Sequence, residues 1–549
     1  MSVQATFAAT LVDEWIHGGV TDAVVCPGSR STPLALALAA RLRVHVRLDE
    51  RSAGFFAIGL SMASGVPTVI CVTSGTAAAE LHAAVVEAHQ GRVPLIVCTA
   101  DRPPELHHVG ASQTIDQVGL FTTSTRWSCD PGVPEGSQEA FWRPLAARAV
   151  AEARDGPLGP GPVHLNLAFR EPLIGSAGPL PARPGPSLVR SRPGAAVLDA
   201  PLEGRGLIIA GANATGDPGR LLLLGERLGW PILADPRSRC RLPGTIAAAD
   251  AIVRTQPPAP DTVVLLGAPW LSKALSEYVS SVAAVGGRVV CVDPWWQWTD
   301  PLAVVSEFHH VGRDEWIDGA HDAAVPTDAE WLSTWRSYEA VAQAVIEREL
   351  SGELSEPSVA RALARYAAAV EGTIMVSASM PMRDLEWFSP ALPVAPAVMA
   401  NRGANGIDGV VSTALGIAAS GRRTFALLGD LAFLHDVSGL VNLPDVPCTF
   451  IVLDNGGGGI FSFLPQAGAL EPDRFELLFG TPPSSDVGNV ARGFGLEVHE
   501  VTAAPELDDA LAACGSARSP ALLRVKLRGR AENVALHEAI NQAVRLALA

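Results

Sequence analysis

The strongest constraint on the fold is a repeated alternation of short apolar runs with Ala-rich, helix-like segments. In the first third of the chain the apolar runs are 23-AVVC-26, 44-VHVRL-48, 68-TVICVT-73 and 94-PLIVCT-99. Similar runs return in two later blocks: 206-GLIIAGANATG-216, 262-TVVLLG-267 and 288-RVVCVD-293, then 373-TIMVSAS-379, 424-TFALLG-429 and 449-TFIVLD-454. Strands that alternate with helices build parallel sheets covered by helices. The pattern predicts three successive α/β domains with mainly parallel central sheets.

Length and loop composition suggest where these domains end. The 549 residues are too many for one domain at about 150 residues each. Residues 181–205 are rich in Pro and Gly, which sustain neither a helix nor an inner strand, and they are predicted to be a linker. The predicted domains are 1–180, 206–350 and 351–549. The first residues carry acidic side chains within an apolar periodicity, which predicts an amphipathic helix rather than a secretion signal.

Composition and charge exclude several classes of protein. Hydrophobic residues make up 48% of the chain and charged residues 18%, which excludes a disordered polymer. The formal net charge of −16 disfavours a general nucleic-acid or anionic-membrane surface, so an anionic ligand needs a local cationic pocket. No apolar run is long enough for a membrane span. The eight cysteines form no CxxC pair, which argues against a zinc site or disulfide framework and favours the reducing cytoplasm.

The segment 424–465 carries the clearest chemical signal. One apolar strand delivers Asp430 to its carboxyl end, and the next delivers Asn455 to the same sheet edge, where α/β proteins bind ligands. Carboxylate, amide and backbone carbonyl oxygens suit Mg²⁺, and Gly456–Gly459 lets a diphosphate approach the backbone. Taken singly, the Gly-Asp pair also fits a turn and the glycines a flexible loop. Their conjunction is more specific than either part.

This motif resembles that of the thiamine-diphosphate enzymes, the family that includes pyruvate decarboxylase and acetolactate synthase. The resemblance implies that Asp430, the Asn455 side chain and the Gly457 carbonyl hold Mg²⁺, or Mn²⁺ in its place, and through it the cofactor diphosphate. It also implies a catalytic glutamate near N1′ of the cofactor pyrimidine, and Glu50 is the candidate. A poorly solvated carboxyl group shares its proton with N1′ more readily, because burial raises its pKa. On the residues alone, Glu50 also fits a simple helix cap.

Further features follow from the same resemblance. Ile407 is the bulky residue that bends the cofactor, although it also fits an ordinary core position, and Ile460 lines the cofactor site. The first domain binds the pyrimidine and the third the diphosphate. The cofactor lies between domains of different subunits, which implies a homodimer and allows a dimer of dimers. The middle domain lacks the full GxGxxG of a dinucleotide site, so FAD is not predicted.

Longer stretches resemble one branch of the family, the 2-succinyl-5-enolpyruvyl-6-hydroxy-3-cyclohexene-1-carboxylate (SEPHCHC) synthases of menaquinone biosynthesis. These stretches are 26-CPGSRSTPL-34, 73-TSGTAAAEL-81, 100-ADRPPEL-106, 110-GASQTIDQ-117, 229-GWPILADPRS-238, 270-WLSK-273, 401-NRGANGIDG-409 and 459-GIFSFLP-465. The branch decarboxylates 2-oxoglutarate and adds the resulting succinyl semialdehyde unit to isochorismate. The resemblance therefore implies a transferase with these two small-molecule substrates.

The resemblance also assigns substrate-binding residues. Those facing isochorismate are Arg30, Arg102, Gln113 and Lys273; those facing the 2-oxoglutarate-derived portion are Ser379, Arg383 and Arg402; and Phe461 and Leu464 form an apolar wall. Arginine suits carboxylate substrates because its planar fork makes two-point contacts, although any one of these cations also fits an ordinary ion pair. The chain departs from the family at Ala378, where an Asn amide is expected.

Two other functions remain open from the sequence. The first is another thiamine-diphosphate-dependent 2-oxo-acid decarboxylase or carboligase on the same scaffold, which differs in the acid it decarboxylates. The second is a nucleotide-binding or regulatory α/β protein without catalysis. It predicts no Mg²⁺-dependent binding of thiamine diphosphate, and it leaves the coexistence of Glu50, Asp430 and Asn455 unexplained.

Overall fold

A computed structural model describes residues 1–183, 202–326 and 329–549. They form three units, each built on one sheet, and the paired strands of these sheets run parallel throughout the described residues. The fold class predicted from the sequence is confirmed. Most of the predicted linker 181–205 lies outside the described residues, and the exact domain boundaries stay predictions.

The first unit has a six-stranded sheet. Its strands are β1 (Asp22–Val25), β2 (Arg43–Val46), β3 (Thr68–Val72), β4 (Leu95–Asp101), β5 (Trp127–Cys129) and β6 (Pro162–Ala168). They lie in the order β2-β1-β3-β4-β6-β5. The helices are α1 (Val3–His17), α2 (Thr32–Ala39), α3 (Glu50–Ser64), α4 (Thr76–Glu80), α5 (His82–Gly91) and α6 (Glu139–Asp155).

The second unit has a five-stranded sheet. Its strands are β7 (Gly206–Ala210), β8 (Ile232–Ala234), β9 (Thr262–Leu266), β10 (Arg288–Val292) and β11 (Glu307–His309), in the order β11-β10-β9-β7-β8. The helices are α7 (Pro218–Leu228), α8 (Ala249–Val253), α9 (Lys273–Ala284), α10 (Arg313–Asp322) and α11 (Ala329–Leu350).

The third unit again has six strands. They are β12 (Thr373–Val376), β13 (Ala397–Met399), β14 (Thr424–Gly429), β15 (Cys448–Asp454), β16 (Glu497–Val501) and β17 (Ala521–Lys526), in the order β13-β12-β14-β15-β17-β16. The helices are α12 (Glu356–Ala369), α13 (Met380–Phe388), α14 (Val410–Ala419), α15 (Asp430–His435), α16 (Gln466–Ala469), α17 (Pro472–Phe475), α18 (Val487–Gly493), α19 (Leu507–Gly515) and α20 (Arg530–Leu548).

The first and third units are held together by a close crossing of α3 and α14. A Cβ at Gly59 would lie 2.1 Å from the Thr413 carbonyl oxygen, and one at Gly416 would lie 2.1 Å from the Phe56 carbonyl oxygen. The two helices therefore touch backbone to backbone, which residues with side chains do not allow. Apolar residues of both units form one continuous buried core around this crossing.

No helix in the three described stretches is both long and apolar enough to cross a lipid bilayer.

Candidate active site

Asp430 lies where β14 gives way to α15. Strands β14 and β15 are neighbours, with Gly429 paired to Leu453, so Asp430 and Asn455 emerge side by side at the same sheet edge. The Asp430 carboxylate is buried and accepts the Leu431 N–H at 2.7 Å and the Gly457 N–H at 2.8 Å. Burial raises the pKa of Asp430 to about 6, and nearby Asp454 adds to the rise.

The Asn455 amide is held at one end and free at the other. Its Nδ2 donates to Glu356 Oε1 at 2.7 Å, whereas its Oδ1 is buried and has no hydrogen-bond partner. An unsatisfied buried oxygen is costly, and such atoms commonly mark a place for a ligand. This unpartnered oxygen is the main structural indication that the site binds a ligand.

The glycine loop after β15 is packed rather than free. Gly457 has φ +127°, and a Cβ there would lie 2.1 Å from the Gly480 carbonyl oxygen. A Cβ at Gly458 would lie 2.3 Å from the Phe479 carbonyl oxygen. Contact with this neighbouring backbone is thus one reason that the loop needs glycine, and it argues against a flexible loop.

These groups fit a hard cation. A buried carboxylate, an unpartnered amide oxygen and a glycine backbone are the kinds of donor that divalent oxygen-loving metals take. Asp430 has no ion pair with a cationic side chain in the described part of the chain. A bound metal would supply the missing positive charge.

Glu50 opens α3 at the end of the segment that follows β2. The helix cap is its neighbour: Asp49 accepts the Ser52 N–H at 2.8 Å. Asp49 therefore caps the helix, and the Glu50 carboxyl group is available for another role. Burial raises the pKa of Glu50, in the direction expected of a proton-sharing acid.

The residues around Glu50 are anchored to the third unit of the same chain. Arg47 is buried and donates to the Gly439 carbonyl and, at 2.8 Å, to the Asn442 carbonyl. Arg51 donates to the His435 carbonyl at 3.1 Å. No hydrogen bond or ion pair joins Glu50 itself to Asp430 or Asn455 within the described single chain, so their joint role stays a prediction.

Three of the four predicted isochorismate residues gather at the carboxyl ends of the first sheet. Arg102 Nη1 donates to Ser74 Oγ at 2.6 Å, and Gln113 Nε2 donates to the Ser74 carbonyl at 3.0 Å. Arg30 is buried and lies close enough to Arg102 to help lower its pKa, although burial is the larger cause. Lys273 is not part of this group, because its side chain is 88% exposed and pairs with Glu277 at 3.3 Å.

Arg383 and Arg402 form a second cationic group, and Arg237 of the middle unit joins them. Burial, followed by the charges of Arg237 and Arg383, lowers the pKa of Arg402 to about 10. The Nε of Arg402 is buried without a partner. Arg383 donates to the Ser379 carbonyl at 2.8 Å. Arg237 itself pairs with Asp235, so the partly buried guanidinium groups of Arg383 and Arg402, with the free Nε of Arg402, are the ones suited to a carboxylate ligand.

The remaining predicted residues lie in the third unit. Ser379 has φ +85°, a strained conformation for a non-glycine residue, and precedes α13 next to the buried Ala378. Ile407 packs against the core shared by the first and third units. Ile460 and Phe461 lie in a 3₁₀ turn, Gly459–Phe463, where the Phe461 ring packs on Phe479, and Leu464 is partly exposed beside it.

Several polar residues of this region are not evident from the motifs. Glu356 binds Asn455; Glu87 binds the backbone of Gly403; and Glu386 accepts the Leu271 and Ser272 N–H groups beside Lys273. Arg237 lies inside the stretch 229-GWPILADPRS-238, so that resemblance gave a signal for it. The three glutamates have no comparable local signature.

Comparison with known proteins identifies the family and the fold. Family profiles of the thiamine pyrophosphate enzymes match residues 1–120 (N-terminal TPP-binding domain), 193–374 (middle domain) and 392–525 (C-terminal TPP-binding domain). The chain belongs to the thiamine pyrophosphate, or thiamine diphosphate, enzymes. The crystal structure of benzoylformate decarboxylase from Polynucleobacter necessarius has the same fold, with a TM-score of 0.74 at 18% identity over 96% of this chain and 98% of that one.

The relatives of this chain identify its family within the thiamine diphosphate enzymes. A SEPHCHC synthase from Chloroflexus aurantiacus is 43% identical over 88% of this chain and 87% of its own. One from Thermobifida fusca is 41% identical over 100% of both chains, and one from Listeria monocytogenes is 36% identical over 98% of this chain and 97% of its own. Within the thiamine diphosphate enzymes, the chain belongs to the SEPHCHC synthase family.

Proposed function

We propose that this protein catalyses SEPHCHC formation in menaquinone biosynthesis. 2-Oxoglutarate loses CO₂, and the remaining succinyl semialdehyde unit is added to isochorismate at the ring carbon β to its carboxylate. The observation that carries the proposal is the pair of separate cationic groups, Arg30 with Arg102 and Arg383 with Arg402, in a chain with a large negative net charge. Two groups of this kind suit two carboxylate-bearing substrates.

The cofactor-binding residues are those that the family resemblance implies, and the donor set at Asp430 and Asn455 supports them. Asp430, Asn455 and Gly457 would hold Mg²⁺, with Mn²⁺ as a substitute, and with it the diphosphate of the cofactor. When bound, thiamine diphosphate supplies the carbon centre that takes up the 2-oxo acid and accommodates the electron pair left by CO₂. Glu50 would exchange a proton with N1′ of the pyrimidine, and Ile407 and Ile460 would contact the cofactor.

The substrate residues divide between the two cationic groups. Arg30, Arg102 and Gln113 bind isochorismate, and Lys273 joins them only if a second subunit or the substrate covers its exposed side chain. Ser379, Arg383 and Arg402 bind the 2-oxoglutarate-derived portion, and Phe461 and Leu464 exclude water from one side. Replacement of the expected amide by Ala378 removes one hydrogen-bond donor from this part of the pocket.

The active unit that we propose is a homodimer, which allows further pairing into a dimer of dimers. Glu50 of one subunit and the Asp430–Asn455 metal site of the other meet at one cofactor. This arrangement is what the resemblance to the thiamine-diphosphate enzymes implies. The eight free cysteines fit the reducing cytoplasm as the location.

Mass spectrometry of the reaction products tests the proposal. Purified protein is incubated with 2-oxoglutarate and isochorismate, with and without thiamine diphosphate and Mg²⁺, and with pyruvate replacing 2-oxoglutarate as the control. SEPHCHC is expected only in the complete mixture. Efficient consumption of pyruvate with 2-oxoglutarate left intact would assign the protein to a different 2-oxo-acid decarboxylase or carboligase.

A further inference from the structure

Glu356 is the hydrogen-bond partner of the Asn455 amide nitrogen. It is the first residue of α12, it is 3% exposed, and its Oε1 lies 2.7 Å from Asn455 Nδ2. An amide has a donor end and an acceptor end, and in this contact the Glu356 oxygen accepts from the donor end. The contact with Glu356 therefore turns the donor end of Asn455 toward α12 and the oxygen end away from it.

The other end of the amide shows what this orientation achieves. Asn455 Oδ1 is buried and unpartnered beside Asp430 and the glycine loop. A flipped amide would place its oxygen against the Glu356 carboxylate and its N–H₂ toward the cation site, where it cannot act as a ligand. The amide packs close to the glycine loop, since a Cβ added at Gly459 would lie 2.7 Å from Asn455 Nδ2.

Helix α12 holds Glu356 firmly in this position. Ser355 caps the helix through a reciprocal hydrogen-bond pair with Ser358, 2.9 Å and 3.3 Å in length, so the backbone of the first turn is fixed. The hydrogen bond to Asn455 needs only an acceptor oxygen, which a glutamate offers whether it is ionised or protonated.

We infer that Glu356 is a positioning residue for the metal site, which acts by presenting Asn455 Oδ1 to the metal. The inference rests on the proposed function, since it needs Asn455 to be a metal ligand. Outer groups that orient a metal ligand typically change metal affinity by about 10- to 100-fold when they are removed. Glu356 touches neither substrate nor cofactor in this assignment and is not a catalytic residue.

Metal titration tests the inference without turnover. Apo-protein with thiamine diphosphate is titrated with Mg²⁺ in a calorimeter. Glu356→Leu, which has no acceptor, is expected to weaken Mg²⁺ binding by about 10- to 100-fold. Glu356→Gln, which keeps an acceptor oxygen, is expected to stay close to wild type. Glu353→Leu is the matched control, because Glu353 lies three residues earlier and is partly exposed, and it should leave the affinity unchanged.

A polarity swap gives a second measurement that does not depend on leucine being tolerated at this buried position. Asn455→Asp alone places two carboxyl groups together and should weaken Mg²⁺ binding. In the double variant Asn455→Asp with Glu356→Gln, position 356 supplies the hydrogen-bond donor and position 455 the acceptor. This restored hydrogen bond should recover much of the Mg²⁺ affinity. Failure of this recovery, or equal weakening by Glu356→Gln and Glu356→Leu, overturns the orienting role.

These outcomes separate the inference from the proposed function. Normal metal binding without SEPHCHC production would count against the proposed activity and leave the Glu356 result valid. Wild-type protein that takes up no Mg²⁺ with thiamine diphosphate would overturn both. Unchanged Mg²⁺ affinity in a folded Glu356→Leu protein would overturn the inference alone.

Discussion

Glu87 of α5 and Gly403 of the third unit are joined directly: the Glu87 carboxylate accepts the Gly403 N–H at 2.7 Å. Its second oxygen accepts the Ala404 N–H, also at 2.7 Å. A Cβ at Gly403 would lie 2.3 Å from the Glu87 carbonyl oxygen, so helix and loop are in backbone contact. The first unit thus fixes the loop that carries Arg402 and Ile407.

We predict that Glu87→Gln raises the KM for 2-oxoglutarate by about tenfold or more, since a charged hydrogen bond contributes about 1.5–3 kcal/mol. The glutamine amide keeps one acceptor oxygen, but its N–H₂ group then faces the second backbone N–H of the loop. The lost hydrogen bond loosens the loop that carries Arg402. Steady-state kinetics give the KM. The exposed Glu139→Gln on α6 is the control, and equal KM values for both variants would contradict the role of Glu87.

Glu50→Gln should lower kcat by about 10²- to 10⁴-fold and leave cofactor binding nearly intact, because proton exchange with the pyrimidine is lost while the side-chain shape is kept. Asp49→Asn is the matched neighbour, and Asn caps helices about as well as Asp. It should therefore retain activity. Stopped-flow turnover together with thiamine diphosphate titration separates the two effects, and equal losses in both variants would argue for a structural role.

Gly416→Ala should destabilise the protein by about 1–3 kcal/mol, because the new methyl group pushes α14 away from α3. Helix propensity alone predicts the opposite sign, since Ala is favoured over Gly by about 1 kcal/mol. Gly468→Ala provides the contrast, because a Cβ there meets no atom within 4 Å. Urea unfolding should show a lower midpoint only for the Gly416 variant.

His164 of β6 should make the protein less stable in mild acid. Its ring is buried, lies 2.8 Å from Thr99 Oγ1 and packs edge-on against Phe121, and burial lowers its pKa to about 4 despite the nearby Asp130. The unfolded chain takes up the proton near pH 6.5, so stability present above that pH is lost as the pH falls toward about 4.

This loss amounts to about 2 kcal/mol between pH of about 7.5 and about 5. Urea midpoints measured at both values give the change. His164→Gln should show a smaller shift in midpoint than wild type, and the exposed His17→Gln should match wild type. An undiminished shift in the His164 variant would assign the acid sensitivity to other groups.

Short sequence patterns predicted the structural features that depend on residues close together in the chain. Apolar runs gave the strands that bear Asp430 and Asn455, because the period and length of such runs reflect burial directly. The buried strands β6 and β17 were not predicted: β6 begins with a proline, and Arg524 interrupts the apolar pattern of β17. Arg524 is tolerated there because it pairs with Asp454 and Asp486.

The supporting residues of the site could not be predicted in the same way. Glu356 and Asn455 are 99 positions apart, and Glu87 and Gly403 are 316 apart. Such contacts follow from how units pack, and a single glutamate in a helix has no local pattern that distinguishes it from a solvated one. The exposed position of Lys273 has the same origin, since its surroundings depend on what covers the middle unit.

The grip of Arg47 and Arg51 on residues 435–442 has a consequence for communication. That stretch continues directly from α15, whose first residue is Asp430. In the proposed dimer each polypeptide lends its acid to one cofactor and its metal ligands to the other. A shift at one cofactor would then be passed along the six residues of α15 to Asp430, at the end of β14, which holds the metal of the second cofactor. The two active sites of the dimer would thus be connected by a short stretch of one polypeptide.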